Sequence, residues 1–223
     1  MISSYQTQYE QQFEKNFPVE WGIQTLQALC SAYEEARAHC SSRFGDKESR
    51  DITSHYCREI FEHEWRKLSS KFPGMRAESK LNKKGTYSHT LISSGNMVLT
   101  ASSVPTPRSK PRYADFRNQY AANGQLSLFD KMESDLTIIY ATLLFPPPKA
   151  LVPAFVVVGF PTNDRRTYAE RLDFLAMYSS IEESRESTGQ EFPSHHAPVE
   201  EIPAPEMPRI RPRPQIVEAK ELL

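Results

Sequence analysis

Three residues of one candidate helix have side chains that bind metals. His55, Glu59 and His63 recur every four positions, so they share a helix face, with Cys57 and Glu62 nearby. Imidazole, carboxylate and thiolate are ligands of zinc and of non-haem iron. Each helical residue rises about 1.5 Å, so His55 and His63 lie about 12 Å apart and cannot meet one ion. A pair such as Glu59 and His63 would need ligands from elsewhere, and the pattern reads as a solvated polar face. Asp135, Asp164 and Asp173, with Lys131 or Lys149, are the residue types of a metal-dependent nuclease. Their spacing does not match the strand-borne acid and Glu-x-Lys arrangement of such enzymes. His195-His196 stands among prolines, where no catalytic geometry would be held. The eight glycines are scattered singly, and no phosphate loop, nucleophile elbow or H-E-x-x-H is present. The chain is therefore expected to have no catalytic residues, metal or cofactor, and to act by binding.

The residues best suited to binding are Gln125, Leu126, Ser127, Leu128 and Phe129. An extended peptide buries alternate side chains in pockets while a polar residue fixes its register. Leu128 and Phe129 are the apolar anchors, each contributing about 1.5–3 kcal/mol when fully buried. The Gln125 amide offers two donors and an acceptor to a polar pocket, and Leu126 and Ser127 set the spacing. Asn123-Gly124 before the peptide and Asp130-Lys131 after it favour display as a loop. The alternative is an edge strand or amphipathic turn whose Leu126, Leu128 and Phe129 join the protein's own core.

This pentapeptide resembles, position for position, the consensus by which bacterial proteins dock on the sliding clamp, the β subunit of DNA polymerase III. The resemblance covers those five residues and implies nothing about the fold. Most proteins with such a motif are polymerases, loaders or repair enzymes with catalytic domains of their own, and this chain shows none. In size, motif and lack of an active site it resembles replication-blocking toxins of the SocB type. That resemblance implies competition with the replicative polymerase for the clamp, and as further partners an antitoxin adaptor and the ClpXP protease.

A second signal is charge. The whole chain is nearly neutral, with 27 Lys and Arg against 28 Asp and Glu. Between Arg66 and Tyr120, however, eleven basic residues face only Glu78 and Asp115. Lys83, Lys84, Arg108, Lys110, Arg112 and Arg117 are the candidates for nucleic-acid contact, with Tyr113, Phe116 and Tyr120 among them. Cations neutralise phosphates while rings stack on bases, so weak DNA contact is one reading. A solvated basic surface balanced by an acidic tail is the other. From a different class, a nucleic-acid-binding protein or phage-type nuclease with an acidic site near Asp135 or Asp164 stays open. So does a module whose prolyl tail binds an SH3-like groove.

The elements that must position these residues are read from periodicity. The 223 residues suffice for one domain with a sizeable core. Trp21, Ile23, Leu26, Leu29, Tyr33 and Ala36 form one helical stripe, and Ile52, Tyr56, Ile60, Phe61 and Leu68 another. Between them Gly45 suits a helix end and Asp46 the cap of the next, predicting an antiparallel hairpin after a short helix ended by Pro18. Thr86–Ser93 and Met97–Val104, joined at Ser94-Gly95-Asn96, predict a β-hairpin, and 136–145 and 154–160 predict central strands. Asn163-Asp164, followed by Tyr168, Leu172, Leu175 and Met177, predicts a closing helix.

The expected fold is thus α+β, a helical hairpin on one face of a small, mainly antiparallel sheet of about four strands. A single domain over 1–180 divides into a helical part at 5–71, a β-rich part at 85–160 and a helix at 164–179. From 181 to 223 the chain is acidic, then prolyl, with seven of the 17 prolines and a basic knot at Arg209–Arg213, and is expected to be a flexible tail. Prolines at 146, 147, 148 and 153 break the longest apolar stretch, and Met1–Gln8 does not read as a secretory signal. With three cysteines expected to remain thiols, the expected compartment is the cytoplasm, without membrane contact.

Overall fold

A computed structural model describes residues 7–82, 85, 87–123, 138–162 and 167–178. The chain divides into two units, Met1–Gly189 and Gln190–Leu223, and every described residue belongs to the first. Helix α1 (Gln8–Asn16) opens on Thr7, whose hydroxyl accepts the Glu10 N–H at 3.2 Å, and stops before Pro18. Helices α2 (Val19–Arg43) and α3 (Asp46–Ser69) form the expected antiparallel hairpin. At the break Phe44 is the C-cap of α2 and Gly45 the N-cap of α3, so Asp46 is already inside the helix that it was expected to cap.

Six strands follow: β1 (Met75–Leu81), β2 (Ser88–Ser94), β3 (Met97–Ser103), β4 (Ile139–Phe145), β5 (Val157–Pro161) and β6 (Tyr168–Asp173). They lie side by side in chain order, and every neighbouring pair is antiparallel except β3 and β4. Ser94 pairs with Met97 across the predicted turn, where Gly95 takes φ +52°, a conformation that L side chains rarely adopt. The parallel β3–β4 pair requires a crossover, which runs through 104–138 and carries helix α4 (Asp115–Asn123).

Side chains alternate between the two faces of the sheet. Ile92, Met97, Leu99, Ile139, Ala141, Leu143, Phe145, Val158, Phe160 and Leu172 point toward α1–α3. There Phe13, Phe17, Trp21, Phe61, Trp65 and Phe174 are fully buried or nearly so, with Trp21 and Trp65 rings 6.1 Å apart. The Trp21 indole donates to Ser69 Oγ at 2.9 Å, tying α2 to the end of α3. One carboxylate is buried beneath α3. Glu62 Oε2 accepts the Thr90 N–H of β2 at 2.7 Å, and Arg58 Nε lies 3.8 Å from Oε1. Burial raises the pKa of Glu62, while Arg58 and the bonds from Thr90 pull it down.

Several expectations are corrected. The segment 164–179 is not a helix throughout: residues 168–173 form β6, and only 174–178 turn helical, capped by Asp173 Oδ1 accepting the Ala176 N–H at 3.0 Å. The sheet has six strands because β1 and β6 flank the four that were expected. The helices do not all lie on one face, since α4 packs through Ala121 and Tyr120 on Leu91, Val98 and Tyr140 of the other. The α+β class, with N-terminal helices against a mostly antiparallel sheet, stands. Among the described residues no helix is long and apolar enough to cross a membrane.

Candidate functional site

The sheet face opposite α1–α3 carries hydroxyls where the first carries hydrocarbon. Tyr140 and Thr142, two apart on β4, and Thr100 on β3 project from it. The Tyr140 hydroxyl lies 2.8 Å from Thr100 Oγ1 and accepts from Thr142 Oγ1 at 3.0 Å. At the far edge Tyr168 lies over Gly159, where an added Cβ would come within 2.5 Å of its ring. Only the missing side chain on β5 lets that ring lie down on the sheet.

The crossover from β3 to α4 passes above this floor and encloses a cleft of about 280 Å3. Lys110, Pro111, Arg112, Tyr113 and Arg117 form its upper wall, and Tyr140, Thr142, Pro161, Thr167 and Tyr168 the rest. Several bonds hold the crossover in place. The Tyr168 hydroxyl donates to the Ser109 carbonyl at 3.2 Å, and Arg171 reaches the Pro107 carbonyl at 3.5 Å. Arg117 Nη1 donates to the Arg112 carbonyl at 2.8 Å and Nη2 to the Ala101 carbonyl at 3.4 Å. The Arg117 guanidinium also lies 5.0 Å from the centroid of the Phe116 ring. His89 of β2 also stacks on the Phe116 ring, with centroids 3.7 Å apart and planes 7° apart.

The electrostatics are one-sided. Three cations line the cleft and no carboxylate does so among the described residues. Burial, followed by Arg117, Lys80 and Arg58, pushes the pKa of His89 down to about 4. Burial and then Tyr140 push the Tyr168 phenol up to about 12, against the pull of Arg117 and Arg171. Both rings are therefore neutral at pH 7, and the site's charge rests on Lys110, Arg112 and Arg117.

Of the residues singled out from sequence, Lys110, Arg112 and Arg117 converge on the cleft, and Arg108 lies exposed in the same crossover. Lys83, Lys84 and the whole peptide Gln125–Phe129 lie outside the described residues, as do Lys131, Asp135 and Asp164. His55, Glu59 and His63 are exposed along α3, while Cys57 is buried, its thiol pushed up to about 12 by burial. Among the described residues no three His, Cys, Asp or Glu side chains are placed to hold a metal ion. Sequence reasoning missed Tyr140, Thr142, Thr167 and Tyr168 as lining residues. Their one linear signal is the pair of hydroxyls two apart within the otherwise apolar Ile139–Phe145, which puts both on one sheet face. No protein-family model, curated protein or solved structure matches the chain.

Proposed function

We propose that the protein docks on the bacterial sliding clamp through Gln125, Leu126, Ser127, Leu128 and Phe129 and, by filling the clamp's peptide site, displaces the replicative polymerase and halts elongation. The observation that carries this reading is the match of all five positions to the clamp-binding consensus. In chain order the motif falls in the β3–β4 crossover, between Asn123 at the end of α4 and Ile139 at the start of β4. It therefore shares its segment with the cations of the cleft. The protein acts by occupancy and not by catalysis, in the cytoplasm where the clamp works, and an antitoxin adaptor delivering it to ClpXP is its implied control.

Calorimetry of the purified protein against the β clamp tests this, with the Gln125→Ala, Phe129→Ala variant alongside. Binding lost in the variant is expected, together with loss of replication inhibition in cells. Inhibition that persists in the double variant would overturn the blocking role, and absence of binding by folded wild type would overturn the docking itself. A second reading, a protein that contacts nucleic acid, is favoured by one specific observation, the convergence of Lys110, Arg112 and Arg117 on one cleft. The two are compatible, because a clamp ligand works beside DNA. A nuclease form of that reading predicts metal-dependent cleavage that survives loss of the motif.

A further inference from the structure

We infer that the cleft between the crossover and β4–β6 is a nucleotide site, which takes one phosphate on Arg117, Arg112 and Lys110 and one base against Tyr113. The inference deepens the nucleic-acid reading and is independent of the clamp. Its first support is charge: none of the three cations forms an ion pair among the described residues. Its second is preorganisation. Arg117 is held by two backbone carbonyls and by Phe116 before any ligand arrives, so little side-chain freedom is lost on binding. The exposed Arg112 guanidinium presents parallel N–H donors that match two phosphate oxygens, while Arg117, whose two Nη atoms already donate to carbonyls, contributes mainly fixed charge.

Tyr113 supplies the second half of a nucleotide's chemistry. Its side chain is large and apolar yet 71% exposed, and its hydroxyl donates to Asp115 Oδ1 at 3.0 Å, which fixes the ring at the mouth of the cleft. An exposed ring beside cations is the arrangement on which unpaired bases stack. Size selects further. About 280 Å3 lies just below the usual range of ligand pockets, which limits the ligand to about one nucleotide unit. A duplex, with its bases already stacked on one another, has no unpaired ring to offer Tyr113 and is expected to gain only the phosphate contact. The ligand is thus a free mononucleotide or one unit of an unpaired strand, two sources of the same chemistry.

Fluorescence anisotropy with a labelled twelve-residue oligo-dT, the matching duplex, and dTMP or inorganic phosphate as competitors tests the site. Single strand should bind at least ten times more tightly than duplex, and dTMP should displace it better than phosphate does. Tyr113→Ala and Arg112→Gln change exposed side chains, so each should keep the wild-type melting temperature while weakening the strand at least fivefold. Arg112→Gln should also reduce the salt dependence by about one phosphate's worth. Binding of dTMP without binding of the strand would assign the site to free nucleotides. Duplex bound as tightly as single strand, with Tyr113→Ala indifferent, would overturn the nucleotide site and leave a charge-driven DNA contact standing. A folded protein that binds neither strand, duplex nor dTMP would overturn both.

Discussion

The two faces of the sheet are built from the same strands and have opposite character. Toward α1–α3 most of the inward residues are aliphatic or aromatic, and Phe13, Phe17, Trp21, Trp65 and Phe174 pack ring against ring. Toward α4 the same strands present Thr100, Tyr140 and Thr142, whose hydroxyls bond one another, and leave a cleft under the crossover. A face closed by hydrocarbon has no room for a ligand, since interiors pack at crystal density. The face with bonded hydroxyls and a lid of cations keeps room by being held through polar bonds instead. Stability should therefore depend on the first face and binding on the second.

The sharpest way to break that division is to empty the first face. Trp21→Ala removes the indole from contact with Phe17, Phe13, Trp65 and Phe174 and leaves Ser69 without its donor. It is expected to cost about 3–5 kcal/mol in urea unfolding. Tyr140→Phe on the second face removes only a shared hydroxyl and should cost about 1 kcal/mol. Equal losses would mean that the faces do not divide the work as their composition implies.

Between these two lies the polar exception within the first face. Glu62 Oε2 accepts the Thr90 N–H, and Arg66 reaches Thr90 Oγ1 at 2.6 Å, so α3 is bonded to β2 as well as packed on it. Glu62→Leu leaves that buried N–H without an acceptor and should cost about 1–3 kcal/mol. Glu62→Gln keeps an acceptor oxygen and should cost less. A leucine as well tolerated as the glutamine would show that the apolar surroundings alone hold α3 in place.

The contrast also explains what the sequence disclosed. The helical stripe of Trp21–Ala36 and the apolar runs of β4 and β5 are legible because burial on one face or on both leaves a period or a continuous run. Both strands that escaped notice are the edges of the sheet. In β1, Met-Arg-Ala-Glu-Ser-Lys-Leu, only Met75 is buried, and in β6 only Leu172. Charges on an edge strand deter pairing with other chains, and they also erase the alternation that would reveal it. The spacing of Tyr168, Leu172 and Leu175 imitated a helix because the strand's one inward residue happened to precede a helical turn. The cations of the cleft were legible as a cluster, but their floor was not. Tyr140, Thr142 and Tyr168 come from strands separated from Lys110 by the α4 crossover or by two further strands, and only the register brings them together.

The smallest expected effect sharpens the boundary between the faces. His89 on β2 is buried against Phe116, with neither ring nitrogen bonded among the described residues, and its folded pKa of about 4 lies below the ordinary 6.5. Above pH 6.5 the ring is neutral in both states and the shift contributes nothing. As pH falls from 6.5 toward 4, the unfolded chain takes up a proton that the folded chain refuses, so stability is lost across that window. Glu62, whose pKa is raised, works in the opposite direction, because its folded form gains the proton first as pH falls. Comparison of wild type with His89→Phe cancels the Glu62 contribution, which both share. Phenylalanine keeps the stack on Phe116 and cannot be protonated, so between pH 7 and pH 5.5 the wild type should lose on the order of 1 kcal/mol more than the variant in urea midpoints. Parallel pH profiles would mean that the ring is protonated in place, as it would be if α4 lifted from the sheet. The cleft would then be a surface that opens, and Arg117 would not be held in advance of its ligand.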